Sequence, residues 1–219
     1  MNLLSIDETK KLIADGAWVI DSRPSAVFVQ GLIPHSVHIP NTANFIEYAE
    51  LVVEPDMSLI LLAESGQEAL VSRNLLKTGF ANLAGIIDGG YEAWLAATGG
   101  QKDIIIDITL EEFELDFNFD EFYLIDLRTE DQYEEEHLEY AENLPLADVE
   151  ESVPDLNPDH TYYLYGNSFE DAAFAASLFK RGGFHKLRVV NEGYEAIKGT
   201  NIPVVKKKKT KSDSNFSAN

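Results

Sequence analysis

Short, continuous apolar runs alternate along the chain with longer segments in which apolar residues recur at helical spacing. Brief apolar runs predict buried strands, and the longer periodic segments predict helices that cover them. The alternation predicts an α/β fold, with mainly parallel sheets flanked by helices. The predicted strands are WVID (18–21), LILL (59–62), 83–87, FYLID (122–126), YYLY (162–165) and 187–190, and the clearest amphipathic helices are EALVSRNLLKTG (68–79) and EDAAFAASLFKRG (170–182).

Each half of the chain also opens with a helix-start signal. Ser5 with Glu8, and Thr109 with Glu112, have the spacing in which a hydroxyl and a carboxylate cap each other's backbone. Gly16 is placed to end the first of these helices, because glycine accepts the left-handed backbone of a helix end.

The two halves repeat one pattern at nearly constant spacing. Residues aligned at an offset of 105 include Asp21 with Asp126 and Arg23 with Arg128. The aligned segments are IDSRPSAVFVQGLIPHSVHIP (20–40) with IDLRTEDQYEEEHLEYAENLP (125–145), then, at an offset of 103, LILLAESG (59–66) with YYLYGNSF (162–169) and GGYEAW (89–94) with EGYEAI (192–197). Matches kept in register over most of each half indicate a duplicated domain. We expect one domain in 1–100, a second in 101–205, a linker around 98–106, and a disordered basic tail in 206–219.

Charge narrows the classes of partner. The formal net charge is -21, and 206–219 carry five lysines and one aspartate, which leaves -25 for 1–205. Because residues 1–205 are this acidic, they repel a phosphate backbone. We therefore expect no nucleic-acid partner. No apolar run approaches the roughly 20 residues that span a bilayer, and no secretory signal opens the sequence, so we expect a cytoplasmic protein without a membrane role.

The sequence contains no cysteine. Disulfides, thiolate metal sites and every mechanism that uses a thiol of this chain are therefore excluded.

The repeated segments resemble the rhodanese family. The resemblance rests on the Asp-x-Arg turn, the aromatic residue and Gly-His-Ile-Pro-Gly-like turn that follow it, and the closing segment GFANLAGIIDGGYEAWLAATG (79–99), each of which returns in the second half. The arrangement also resembles the tandem rhodanese segment that follows a β-lactamase-fold metallohydrolase in some bacterial fusion proteins. No His-x-His-x-Asp-His zinc motif occurs here, so only the C-terminal part of such a fusion would be represented.

The resemblance implies a sulfur-carrying cysteine directly after the central strand of an active domain. That position falls on Ala63 in the first half and on Gly166 in the second. Two-domain sulfurtransferases commonly keep the cysteine in the second domain alone, whereas this chain lacks it in both. We therefore interpret the following loops as degenerate active-site loops: Ala63, Glu64, Ser65, Gly66, Gln67 and Glu68, and Gly166, Asn167, Ser168, Phe169, Glu170 and Asp171.

Neither loop carries a basic residue, and both carry carboxylates. A thiolate there would lack cationic stabilisation, its pKa would rise, and thiosulfate would be repelled. We expect no sulfurtransferase activity and no cofactor.

Other reactive-looking groups favour structural interpretations. We predict that Asp21 with Arg23, and Asp126 with Arg128, brace turns rather than catalyse. His35 and His38 lie three apart, but an intervening strand would separate their directions, so we expect no metal site. His137 matches the histidine of the family's turn and is expected to order it, while Tyr162, Tyr163 and Tyr165 are expected in the core or an interface and Trp94 between its helix and the sheet.

The leading hypothesis is a catalytically inactive tandem rhodanese-like protein that serves as a binding, scaffolding or regulatory module, with an unidentified protein partner and a link to sulfur metabolism or a metallohydrolase. The sequence also allows a homo-oligomer. Two alternatives remain: a hydrolase that uses Ser65 or Ser168, which needs a base within hydrogen-bond reach, and a sensor of anions or metabolites. The acidic segments 111–122 and 130–142 are expected to be a solvated face or a patch for a basic partner.

Overall fold

The protein is described by a computed structural model, which covers residues 2–79, 82–100, 102–119 and 121–207. Its strands are β1 (Leu3–Leu4), β2 (Trp18–Asp21), β3 (Val37–His38), β4 (Leu59–Leu62), β5 (Leu83–Ile87), β6 (Ile106–Ile108), β7 (Tyr123–Asp126), β8 (Glu136–Leu138), β9 (Ala141–Asn143), β10 (Tyr162–Tyr165), β11 (Leu187–Val190) and β12 (Val204–Lys206). Its α-helices are α1 (Ile6–Ala14), α2 (Ser25–Phe28), α3 (Phe45–Val52), α4 (Glu68–Lys77), α5 (Gly90–Ala97), α6 (Leu110–Phe119), α7 (Glu130–Glu135), α8 (Val149–Ser152), α9 (Phe169–Arg181) and α10 (Tyr194–Ile197).

Two five-stranded parallel sheets, one in each half, confirm the predicted fold class. The first sheet has the order β1-β5-β4-β2-β3 and the second has the order β6-β11-β10-β7-β9. Strands that the repeat aligns occupy the same place in the two sheets. A small antiparallel sheet of β8 and β12 joins the second half, which the sequence pattern did not indicate.

The local signals act as their spacing predicts. Ser5 and Glu8 form a reciprocal capping box on α1, and Thr109 and Glu112 exchange the same contacts at 2.8 and 3.2 Å. Gly16, with φ of 97°, follows the end of α1. None of the helices in the described part of the chain is long and apolar enough to cross a membrane.

The helix α9 departs from the expected amphipathic pattern. Every residue from Ala172 to Lys180 is buried, because α9 packs on its own sheet and also on β3 and α2 of the first half. The four alanines of the segment allow this close approach from several sides. One apolar cluster therefore contains core residues of both halves, including Ile20 and Leu61 together with Phe174 and Phe179.

Polar contacts reinforce this junction. The Tyr48 hydroxyl donates to Asp171 Oδ1 at 2.7 Å, and its ring stacks on Phe174 at 5.0 Å. The backbone N–H of His38 donates to Ser177 Oγ at 3.0 Å. The two halves are thus joined through specific side chains of α9, and not only through the linker.

The linker and the start of the basic tail are also held by contacts. Asp103, in the linker, accepts a hydrogen bond from Lys180 at 2.8 Å, and Gly99 and Gly100 both have positive φ. Lys206 lies in β12, and Lys206 and Lys207 pair with Glu136 and Glu134 at 3.1 and 3.0 Å. The remainder of the expected disordered tail, 208–219, lies outside the described residues.

His38 lies fully buried beneath this junction. Its Nδ1 donates to the Asp21 carbonyl at 3.1 Å, its Nε2 accepts from the Ser25 hydroxyl at 2.9 Å, and its ring stacks on Phe28 at 4.2 Å. Burial lowers the pKa of His38 to about 3, and the nearby Arg23 acts in the same direction. The folded protein therefore holds a neutral imidazole.

We expect this histidine to make folding stability pH-dependent. Between its folded pKa of about 3 and the ordinary value of about 6.5, the unfolded chain binds more protons, so lowering the pH favours unfolding. Relative to His38→Asn, which keeps a donor toward Asp21, the wild type should lose about 1.4 kcal/mol per pH unit below about pH 6.5. Urea denaturation from pH 7.5 to 4.5 measures the difference, and parallel stability curves for the two proteins would contradict it.

Candidate active-site loops

The two loops that the repeat aligns with the family's cysteine position follow the carboxyl ends of β4 and β10. This edge of a parallel sheet is where α/β proteins commonly bind ligands. In the first half, Ala63 lies directly after β4 and is 9% exposed. The backbone then turns through Gly66, which has φ of 87°, and enters α4 after Gln67, whose N–H donates to the Glu64 carbonyl at 2.9 Å.

The first loop opens onto a cleft of about 720 Å³. Ala63 and Ser65 line it, as do apolar side chains of β1, α2 and β5. Four carboxylates also line the cleft: Glu64, Glu68, Asp88 and Glu92. An excess of carboxylates disfavours an anionic substrate such as thiosulfate.

Arg23 brings a cation to the cleft that the loop sequence did not reveal. Its guanidinium donates to Asp21 at 2.9 Å from Nε and at 2.6 Å from Nη2, and Nη2 also donates to the Gly31 carbonyl at 2.8 Å. The same group stacks 4.0 Å above the Tyr91 ring. Because the charge is paired with Asp21 and hydrogen bonds engage Nε and Nη2, Arg23 braces the cleft and is less disposed to bind an anion than an unpaired arginine would be.

We call the Asp21–Arg23 ion pair, with its hydrogen bond to Gly31 and its contact with Tyr91, a clasp. The second half repeats this clasp. Arg128 donates to Asp126 at 3.0 Å from Nε and 2.6 Å from Nη2, reaches the Glu136 carbonyl at 2.7 Å, and stacks 3.4 Å above Tyr194. Tyr165 adds a hydrogen bond to Asp126 at 2.6 Å. Burial raises the pKa of Tyr194 to about 12, so its hydroxyl stays protonated.

The second loop has no room for a side chain at Gly166, the position that the family resemblance assigns to a cysteine. Gly166 is buried, and a Cβ built on it would lie 2.6 Å from Asp171 Cβ. Asp171 and Ser168 form a capping box on α9, and Asp171 also binds Tyr48 of the first half. A Cβ at Gly193 would overlap the Asn167 carbonyl oxygen, so that segment closes the loop from the other side. The second loop is therefore part of the junction between the halves.

The two serines have different surroundings. Ser168 Oγ accepts the N–H of Asp171 at 3.2 Å as the cap of α9. Ser65 lines the first cleft, and no histidine is among the described residues that line it. The structure instead pairs Ser25 with His38, which sequence spacing did not indicate, but these side chains are 5% and 0% exposed and pack against Phe28.

The histidines singled out from the sequence have different surroundings. His35 is exposed in a turn with φ of 64°, whereas His38 is buried. His137 Nδ1 donates to the Tyr133 carbonyl at 2.7 Å and its ring stacks on Tyr133 at 3.9 Å. Within the described residues no group of three or more histidine, aspartate or glutamate side chains is arranged to hold a metal ion.

The aromatic residues singled out from the sequence are in the core. Tyr162, Tyr163 and Tyr165 are each at most 3% exposed. Trp94 is 8% exposed and packs in a cluster with Val19 and Ile60 of the first sheet.

Comparison with known proteins identifies the family. The family model for the Rhodanese-like domain matches residues 5–97 and again residues 109–200. The chain therefore belongs to the rhodanese-like family and contains two such domains in tandem.

Curated relatives include proteins named for sulfur chemistry. "Thiosulfate sulfurtransferase GlpE" of Pseudomonas entomophila (strain L48) is 32% identical over 100 residues, which cover 45% of this chain and 88% of that protein. "Putative sulfur carrier protein YrkF" of Bacillus subtilis (strain 168) is 31% identical over 84 residues, which cover 38% of this chain and 45% of that protein. The chain thus spans less than half of the Bacillus relative.

A solved structure with similarity across most of the chain is that of a thiosulfate sulfurtransferase from Pseudomonas aeruginosa. It is 15% identical, covers 95% of this chain and 44% of its own, and has a TM-score of 0.42.

Removal of one partner of the buried clasp should be costly. Asp126→Ala leaves the Arg128 guanidinium buried and unpaired, so we expect a loss of about 3–5 kcal/mol in the free energy of unfolding. Glu134→Ala, which breaks an exposed pair with Lys207, should cost less than about 1 kcal/mol. Urea denaturation measures both, and similar small losses would show that the clasp is dispensable.

Ala63 and Gly166, the two positions that the family resemblance assigns to a cysteine, should differ in the substitutions that they tolerate. Gly166→Cys forces Asp171 to move, so we expect a loss of about 1–3 kcal/mol. Ala63→Cys extends an existing Cβ toward an open cleft and should change stability by less than about 1 kcal/mol. Thermal or urea denaturation compares the two variants, and equal stabilities would refute the description of the second loop as filled.

Proposed function

We propose that this protein is a catalytically inactive tandem rhodanese-like protein that acts as a binding, scaffolding or regulatory module. The observation that carries the proposal is the complete lack of cysteine in the chain, with Ala63 and Gly166 where the family resemblance places the sulfur carrier. Without a thiol the chain itself cannot form the persulfide on which sulfur transfer by this scaffold depends.

The geometry of both loops supports the proposal in different ways. In the second half, Asp171 fills the space beside Gly166 and binds Tyr48 instead of a ligand. In the first half, the cleft is open, but four carboxylates line it, and Arg23, the one lysine or arginine among the described residues that line it, is paired with Asp21. Both arrangements are poor supports for an anionic sulfur donor.

We propose a protein partner rather than a nucleic acid or membrane, because -25 of formal charge on 1–205 repels anionic surfaces. The relatives named for sulfur transfer and sulfur carriage support a role beside sulfur-handling enzymes, and we propose the cytoplasm as its location. The resemblance to the rhodanese part of metallohydrolase fusions suggests such a hydrolase as an alternative companion. Both proposed partners, the sulfur-handling enzyme and the metallohydrolase, rest on analogy with proteins of the same fold.

The alternatives have less support. A hydrolase would need a base beside Ser65 or Ser168, yet Ser168 caps α9 and the described lining of the first cleft contains no histidine. A sensor of anions would have to overcome the carboxylates of that cleft. A ligand screen by thermal shift separates a metabolite sensor from a protein-docking module, because a ligand that binds the folded state raises the melting temperature.

The direct test is a sulfurtransferase assay. Purified protein incubated with thiosulfate or 3-mercaptopyruvate and cyanide should form thiocyanate no faster than buffer alone, and mass spectrometry should detect no sulfane adduct. Turnover well above the blank, or a sulfur adduct on the chain, would overturn the proposal.

Restoring a cysteine tests whether only the thiol is missing. In Ala63→Cys, we expect the pKa of the new thiol to lie above the ordinary value of about 8.5, since Glu64 and Glu68 disfavour its anion. Turnover should stay at the wild-type level. Alkylation rates against pH report the thiol pKa, and the same cysteine with Glu64→Gln and Glu68→Gln should react faster at neutral pH. Efficient thiosulfate turnover by the single variant would contradict the electrostatic argument.

A further inference from the structure

A second cleft lies at the opposite end of the second sheet from the degenerate loop. It has a volume of about 590 Å³ and is lined by residues from the end of α6, the start of β7, the turn before β9 and the segment before β10. These positions are the amino ends of the strands, whereas the loop at Gly166 follows a carboxyl end. The cleft is therefore separate from the site that the family resemblance implies.

Aromatic rings form its walls. Phe117 lies 6.2 Å from Tyr140 and 6.4 Å from Phe122 between ring centroids, and Tyr123 stacks on His160 at 4.4 Å. Tyr140 is 79% exposed and Tyr123 is 42% exposed. Exposed aromatic faces beside one another are typical of the centre of a protein interface.

Tyr140 is held in an unfavourable backbone conformation, with φ of 66°. The equivalent turn in the first half has His35 with φ of 64°, at the repeat offset of 105. The left-handed turn is thus a feature of the repeated fold, and glycine would suit it better than either residue. The turn does not require a tyrosine, and a side chain that is 79% exposed adds little to the core. Neither the turn nor core packing therefore explains why a tyrosine stands at this position.

Carboxylates line the cleft and the neighbouring groove, and one cation lies nearby: the Lys186 ammonium donates to the Asp159 backbone carbonyl at 2.7 Å. Glu121 and Asp159 line the cleft, and Glu111 and Glu114 line the adjoining groove on the other side of Phe117. Among the described residues that line either space there is no lysine or arginine. Aromatic faces and carboxylates together attract cationic side chains, which bind over the ring faces.

We propose that this aromatic cleft binds a lysine- or arginine-containing segment of a basic partner protein. Charge complementarity selects the partner, because the body of the chain carries -25 while the cleft offers ring faces and two carboxylates to a cation. The inference deepens the proposed binding role and rests on it for its biological meaning. It makes its own prediction, since peptide binding is measured independently of sulfur transfer.

The test uses the full chain and a short fluorescein-labelled peptide of alternating lysine and glycine, followed by fluorescence anisotropy at physiological salt. Tyr140→Gly removes the ring and relieves the turn, so we expect about tenfold weaker binding with stability unchanged or raised. His35→Gly is the matched control, because it relieves the equivalent turn without touching the cleft, and it should bind like wild type. Equal affinities for the two variants would overturn the proposal.

Two further arms separate the site from general acidity. Glu121→Gln with Asp159→Asn should weaken binding several-fold more than Glu47→Gln with Glu50→Gln, which removes the same charge from an exposed face of α3. The peptide with acetylated lysines should lose most of its affinity. Equal effects of the two double variants would show non-specific attraction, and full binding of the acetylated peptide would show an apolar partner; either result refutes the proposal.

The lysines at 208, 209 and 211 of the chain itself provide the last arm. Replacing them with glutamine in the full chain should leave peptide affinity within about twofold, as expected for a site open to another protein. A large gain in affinity would show that the chain's own tail competes for the cleft, and would replace the proposed partner by that tail.

Discussion

The buried ion pair between an aspartate at the end of a central strand and the arginine two residues later organises each half of this protein. Asp21 with Arg23, and Asp126 with Arg128, tie the carboxyl end of β2 or β7 to a backbone carbonyl eight residues after the arginine, that of Gly31 or Glu136. Each guanidinium also stacks on the ring of a tyrosine from the closing segment of its half, Tyr91 or Tyr194. An ion pair of this kind need not add much net stability, but losing one member leaves a buried charge without its partner. The clasp thus fixes the frame around both loops whether or not chemistry occurs there.

On that common frame the two loops differ in their surroundings. The first remains open, with a cleft whose carboxylates exceed its available cations. The second has become structural: Asp171 caps α9, fills the space beside Gly166 and receives the hydroxyl of Tyr48. The lack of a cysteine in the chain and the close packing of the halves are therefore compatible with each other.

Under the proposed role, the protein acts through its surfaces rather than through a reactive centre. The aromatic cleft before β7 and β10 lies away from the junction, and the strongly acidic body favours encounter with basic partners. A tandem rhodanese-like chain without a thiol can retain its fold for binding because the clasp, the capping boxes and the shared core are all independent of sulfur.

Local pattern sufficed for several elements: WVID, LILL and YYLY form strands where their apolar runs predict them, and Ser5 and Thr109 cap helices through contacts three residues apart. Those features depend on residues close together in the sequence, and the lack of a thiol follows from composition alone. Only the tertiary structure decided that Arg23 enters the first cleft already paired, that α9 is buried on all sides, and that Ser25 meets His38. These contacts join residues from separate elements, and the burial and charge that result depend on how the two halves pack.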